Sequence, residues 1–140
     1  MSWDSYIDNL LGHSKDPTGT SHVDKACIIG LDGGAPWTTA ANPNALVLQG
    51  SEGANIAKCM KNKDFSPFQA GGVFVTGVKY QFLREEDKKI VMAKKKDHGA
   101  LTLQSSKTAI VIGHCPEGGQ QGLTNKAVAT IAEYLESMNM

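Results

Sequence analysis

Aromatic side chains are scarce in this sequence, with two tryptophans, three tyrosines and four phenylalanines among 140 residues. Charge of one sign is missing too: fourteen basic and fourteen acidic side chains cancel. A balanced total gives no support to nucleic acid as a partner, which calls for a strongly basic chain or face. Cysteine is limited to Cys27, Cys59 and Cys115. Three widely spaced thiols, odd in number, fit a reducing cytosol better than a secreted disulfide framework. No apolar run approaches the ~18 residues that a membrane helix needs. The opening M-S-W-D-S-Y has neither a basic n-region nor an apolar h-region, so no signal peptide is expected.

Motifs for catalysis and metal binding are also wanting. There is no G-x-S-x-G, C-x-x-C or H-E-x-x-H spacing among the cysteines and the histidines at 13, 22, 98 and 114. His114 and Cys115 are neighbours, but successive strand residues point to opposite faces, so they are poorly placed to work as a pair. Gly118, Gly119 and Gly122 precede a helix without the G-K-[ST] ending of a phosphate-binding loop. These absences favour structural roles for His114, Cys115 and the glycines. No cofactor and no metal are expected, and an enzyme using Cys115 or His114, with thiol-sensitive turnover, is the remote alternative.

What is present is apolar periodicity. Leu123, Ala127, Val128, Ile131, Ala132, Leu135 and Met138 recur at helical spacing, predicting a last helix that starts near Thr124 as N-cap and buries one face. Trp3, Tyr6, Ile7, Leu10 and Leu11 predict a first helix capped by Ser2 and ended by Gly12. Residues 13–22 read as a loop. A compact apolar run at 26–31 predicts a buried strand, turning at Asp32-Gly33-Gly34 into a second strand at 37–39. Residues 51–60 predict a modest helix weakened by Gly53, and 65–72 a loop around Pro67. Strands are then predicted at 73–76, 78–84, 89–95, 100–104 and 109–113, joined by short turns that require antiparallel pairing. The expected fold is a single α+β domain over residues 1–140. It holds a central antiparallel sheet of about seven strands, with helices at the two chain ends.

Two surface features carry functional content. Lys88, Lys89, Lys94, Lys95 and Lys96, with Arg84, form the one local basic concentration. Such a run is either a solvated hairpin edge or a surface for an acidic protein or phosphoinositide head groups. Trp3, Tyr6, Trp37 and Tyr134 gather in one place if the two outer helices pack side by side; otherwise they are ordinary core. Partly exposed Trp and Tyr around a shallow groove suit a polyproline II ligand, which is already extended and costs little entropy to bind.

The stretches S-W-D-S-Y-I-D-N-L, A-C-I-I-G-L-D-G-G-A-P-W, G-G-V-F-V-T-G-V-K-Y and G-L-T-N-K-A…A-E-Y-L together resemble the profilin family. They occur in that family's order and span essentially the whole chain. The resemblance implies the profilin fold, with the outer helices on one face of the sheet and shorter helices on the other. It implies a cytoplasmic, cytoskeletal protein that binds monomeric actin, proline-rich segments of filament-elongation factors, and phosphoinositides at the membrane surface. It assigns the proline-rich site to Trp3, Tyr6, Trp37 and Tyr134 with Met140 beside them. It assigns actin contact to Phe68, Lys79, Arg84, Lys95, Gly122, Asn125 and Lys126, and phosphoinositide contact to Arg84, Lys94, Lys95 and Lys126. Gln81, Phe82 and Thr130 depart from the family pattern. The rival reading is a ligand-sensing or scaffold domain of similar topology that does not bind actin.

Overall fold

A computed structural model describes residues 3–140. The elements run α1 Ser5–His13, β1 Lys25–Gly30, α2 Glu52–Asn62, α3 Ser66–Gly71, β2 Val73–Val75, β3 Val78–Glu86, β4 Ile90–Lys95, β5 Gly99–Ser105, β6 Ala109–Cys115 and α4 Gln121–Ser137. The strands form one antiparallel sheet in the order β1-β6-β5-β4-β3-β2, so the meander expected from the short turns is present and β1 closes it beside β6. Every residue of β5 is buried, because helices cover both faces of the sheet centre.

On one face, α1 and α4 pack together over Ala26, Ile28, Ala109 and Val111. Ile7, Leu10, Val128 and Leu135 are fully sealed there; each such side chain contributes roughly 1.5–3 kcal/mol through burial. On the other face, α2 and α3 cover Cys27, Ile29, Tyr80, Val91, Leu101, Leu103, Ile110 and Ile112. The α+β architecture with outer helices on one face and shorter ones on the other is therefore as expected.

Four local expectations are corrected. The sheet has six strands among the described residues rather than about seven, because 37–39 is not a strand. The return after β1 pairs only briefly. Gly30 N donates to Ala35 O and Trp37 N to Ile28 O, after which the Thr38 hydroxyl takes the Ile28 N–H and replaces the next backbone partner. Residues expected as loop around Pro67 contain α3, since proline is compatible with a first helical turn, where an N–H has no helical partner anyway.

The last helix starts at Gln121 rather than near Thr124, and Gly122 lies inside its first turn. Thr124 is buried and its hydroxyl donates to His22 O at 2.6 Å instead of capping. The first helix runs through Gly12 to His13, where the Ser14 hydroxyl closes it on Leu11 O. Its expected cap, Ser2, lies outside the described residues. Gly53, a poor helix former, sits in α2 because a Cβ there would stand 2.6 Å from the Gly34 carbonyl oxygen.

An aromatic groove and a basic face

Trp3 lies in the turn that opens α1, and Tyr6 follows one helical turn later, its N–H donating to Trp3 O. The two rings therefore stack, with centroids 5.3 Å apart and planes 29° apart. Trp37 arrives from the segment after β1 and stands 4.7 Å from Trp3. Tyr134, on the second half of α4, lies 6.3 Å from Tyr6. Four rings from three separated segments thus form a continuous row. Tyr6 is its floor at 6% exposure, Trp3 and Trp37 are half-buried walls, and Tyr134 is 48% exposed. Burial, with the neighbouring Tyr134, pushes the Tyr6 phenol above its ordinary pKa, so it stays a neutral hydrogen-bond donor.

The row is braced by a contact that no sequence pattern announces. Both Asp4 carboxylate oxygens accept from Thr39, one from its N–H at 2.6 Å and one from its hydroxyl at 2.5 Å. Those bonds favour the carboxylate and lower its pKa. They hold the Trp37 segment against α1. Gly30 leaves room for the indole, since a Cβ there would stand 3.2 Å from Trp37 Nε1.

Met140 packs half-buried on the same cluster as Trp3 and Trp37. Its backbone is secured at both ends. The N–H donates to Leu135 O, and the carbonyl accepts from Thr108 N, Thr108 Oγ1 and Ser106 Oγ.

The second group of expected residues occupies a different region. Lys79 and Arg84 are exposed on β3, Lys94 is exposed and Lys95 half-buried on β4, and Gly122, Asn125 and Lys126 lie in the first turns of α4. Cross-strand register joins part of this set. Arg84 pairs with Met92 and Met92 with Thr102. The Thr102 hydroxyl donates to Asn125 Oδ1, while Asn125 Nδ2 reaches Met92 Sδ at 3.7 Å. One row across the sheet therefore sets Arg84 on the same face as the start of α4.

Phe68, Lys79, Lys94 and Lys95 instead meet around a depression between α3 and the β3–β4 pair, with Phe82 beneath. Phe68 itself is buried, its ring 6.2 Å from Phe65 and 6.5 Å from Phe82. Among the described residues, Lys79, Lys94, Lys95 and Lys126 have no ion-pair partner, whereas Arg84 reaches Glu86 at 3.3 Å.

The loop at 13–22 proves to be a support for this face. Gln120 N donates to His22 Nδ1, so the other ring nitrogen carries the proton and donates to Asp16 at 2.8 Å. Hydrogen bonds from Thr18, His22 and Thr20 hold the Asp16 carboxyl well below the usual range. His22 thereby satisfies backbone N–H and hydroxyl groups at the start of α4, just before Gly122. Sequence inspection misses this link because its partners are about a hundred positions apart.

The thiols have no activating surroundings. Burial pushes Cys27 up to about 12 and raises Cys59 and Cys115 as well. Among the described residues no group of three metal-ligating side chains occurs, and no helix is long and apolar enough to cross a membrane.

The Profilin family model matches residues 1–140. A profilin of Clypeaster japonicus is 74% identical over 140 residues, covering all of both chains. Among solved structures, Acanthamoeba castellanii profilin II superposes with a TM-score of 0.80 at 29% identity, over 99% of this chain and all of that one. Mouse profilin IIa in complex with a double repeat from the FH1 domain of mDia1 superposes at 0.71 with 21% identity, over the whole of both chains, and supports the fold. Full-length agreement in sequence and in fold, on an α+β scaffold whose outer helices share one face, makes the conclusion direct: the chain belongs to the profilin family, a family of actin-regulating proteins.

Proposed function

We propose that this chain, acting as one cytoplasmic domain, is a non-enzymatic adaptor with two separate docking surfaces. Trp3, Tyr6, Trp37 and Tyr134, with Met140 at their side, bind a proline-rich segment. The rings stack on pyrrolidine faces, and the indole N–H and phenol groups donate to carbonyls that a polyproline II helix leaves free. Lys79, Arg84, Lys95, Gly122, Asn125 and Lys126 meet monomeric actin, with the buried Phe68 ring lining the depression beside Lys79 and Lys95 and the cations forming a rim around a mixed apolar and polar centre. A proline-rich elongation factor holding the aromatic side and actin held on the basic side would raise the local actin concentration at a growing filament.

The observation that carries this reading is the ring row, with centroid spacings of 4.7 to 6.3 Å, set apart from an unpaired lysine surface. Preferential binding of a more open actin conformer would speed nucleotide exchange on actin. Arg84, Lys94, Lys95 and Lys126 also suit phosphoinositide head groups, and the shared residues make lipid and actin compete.

The test is a pair of measurements on the full chain: affinity for a polyproline peptide by tryptophan fluorescence, and affinity for monomeric actin. Both are repeated with Trp3→Ala and with the Arg84→Glu, Lys126→Glu double change. Independent loss of one activity in each variant supports two surfaces. Retained proline binding without any measurable actin affinity in the unmodified chain would favour the scaffold reading instead.

A further inference from the structure

We propose that His114 is a pH-dependent clamp that holds the β4–β5 turn in place when doubly protonated and releases it when neutral. His114 lies near the end of β6, mostly buried. Its Nδ1 faces Asp24 Oδ1 at 2.5 Å, and its Nε2 faces the carbonyl oxygen of His98 at 2.6 Å. Both neighbours are acceptors, so only an imidazolium, which carries a proton on each nitrogen, satisfies both. A neutral ring must give up one bond and turn a lone pair towards an oxygen. His22 is the opposite case, because one of its ring nitrogens accepts a backbone N–H and requires the neutral form at that atom.

The clamp joins segments that are distant in sequence: the residue before β1, the end of β6 and the turn at 96–98. That turn uses left-handed backbone at two positions. Asp97 has φ 67° and Gly99 φ 95°, and a Cβ on Gly99 would overlap the Cys115 carbonyl oxygen. Within the turn, closure rests on His98 N to Lys95 O and on the His98 ring meeting Lys96 O. The His114–His98 bond fastens it to β6.

Other groups facing His114 are few. Lys25 is its register partner on β1 and opposes a positive charge, and Tyr80 from β3 presents its ring at 6.1 Å and 72°. Leu101, its partner on β5, is apolar. Burial alone pushes the His114 pKa down. The hydrogen bond and charge of Asp24 and the His98 carbonyl outweigh burial and Lys25, leaving it above the ordinary histidine value. The clamp's contribution is therefore complete below about pH 6.5 and fades as pH rises through the folded-state pKa. Its effect on binding at Lys94, Lys95 and Lys96 rests on the basic-face reading above, whereas the clamp itself is measurable on the free protein.

The experiment is a pH series on the ¹⁵N-labelled full chain, following both imidazole nitrogens of His114 and amide exchange at residues 97–99, corrected for the intrinsic rate. The expected result is two protonated nitrogens at pH 6. Turn exchange should then rise by about tenfold, in step with loss of the His114 proton. In Asp24→Asn both midpoints move together to lower pH, with His114→Asn as the pH-insensitive control. A non-protonated His114 nitrogen at pH 6 overturns the proposal. So does turn exchange that follows only the intrinsic rate while His114 titrates, and the unmodified chain decides this even if a variant fails to fold.

Discussion

The aromatic groove and the basic face are built by different means. In the groove each ring is held by another ring or by a buried neighbour, and its recognition depends on relative placement within about an ångström. On the basic face, Lys79, Lys94 and Lys126 are exposed and Lys95 is half-buried, all without ion-pair partners among the described residues, and only Asn125 and Arg84 are tied into a row. The groove is a product of packing and the face a product of sheet register and charge. The first should fail when its supports are loosened, the second when its charges are reversed or screened.

The largest break is expected from Trp3→Ala, which removes a ring in contact with two others. Affinity for a polyproline peptide should drop by roughly 30-fold or more, as truncation of a central aromatic anchor does, and actin affinity should stay within about twofold. Calorimetry with both ligands measures it, and equal losses would mean that the two regions are not independent.

Next in size is the Arg84→Glu, Lys126→Glu double change, which should weaken actin binding by about tenfold or more and leave the peptide unaffected. Raising salt from about 50 to 200 mM should act in the same direction on actin and hardly at all on the groove, because exposed charges are screened while ring stacking is not.

A smaller effect sharpens the contrast. Asp4→Ala removes the brace on Thr39 without removing any ring, so peptide affinity should fall by roughly three- to tenfold through misplacement of Trp37. Near-ultraviolet circular dichroism should report the altered Trp3–Trp37 pair. An unchanged affinity would mean that ring packing alone sets the groove.

Smallest of all, Gln104→Leu should be stabilising by about 1 kcal/mol or less, since the buried Gln104 Oε1 has no hydrogen-bond partner among the described residues. Thermal unfolding measures it, and neither binding activity should move.

Much of the fold was legible because its signals are local. The three-and-four spacing of α1 and α4, the regular spacing and short turns of β2 to β6, and the apolar run of β1 all follow from neighbouring residues. Misreadings arose where a local signal was ambiguous. Pro67 breaks a helix interior but is tolerated in the first turn of α3, and Gly122 is a weak helix former that α4 nevertheless includes. Trp37 follows a hairpin-like turn, yet the Thr38 side chain supplants the strand ladder. For the site, the rings were identifiable by their rarity. The Asp4–Thr39 brace, the His22 support of α4 and the His114 clamp were not, because each joins residues with no shared periodicity.

The sequence alone determined which segments become helix and strand and which few rings and cations are available, since propensity, turn chemistry and apolar spacing act over a handful of residues. Tertiary structure decided that Trp3, Trp37 and Tyr134 share one row, that Arg84 and Asn125 face the same way, and that a His22 ring nitrogen meets a backbone N–H while both His114 ring nitrogens face oxygens. Those outcomes depend on which surfaces meet when the two outer helices close over one side of the sheet, and on the donors and acceptors that this closure brings within hydrogen-bonding reach.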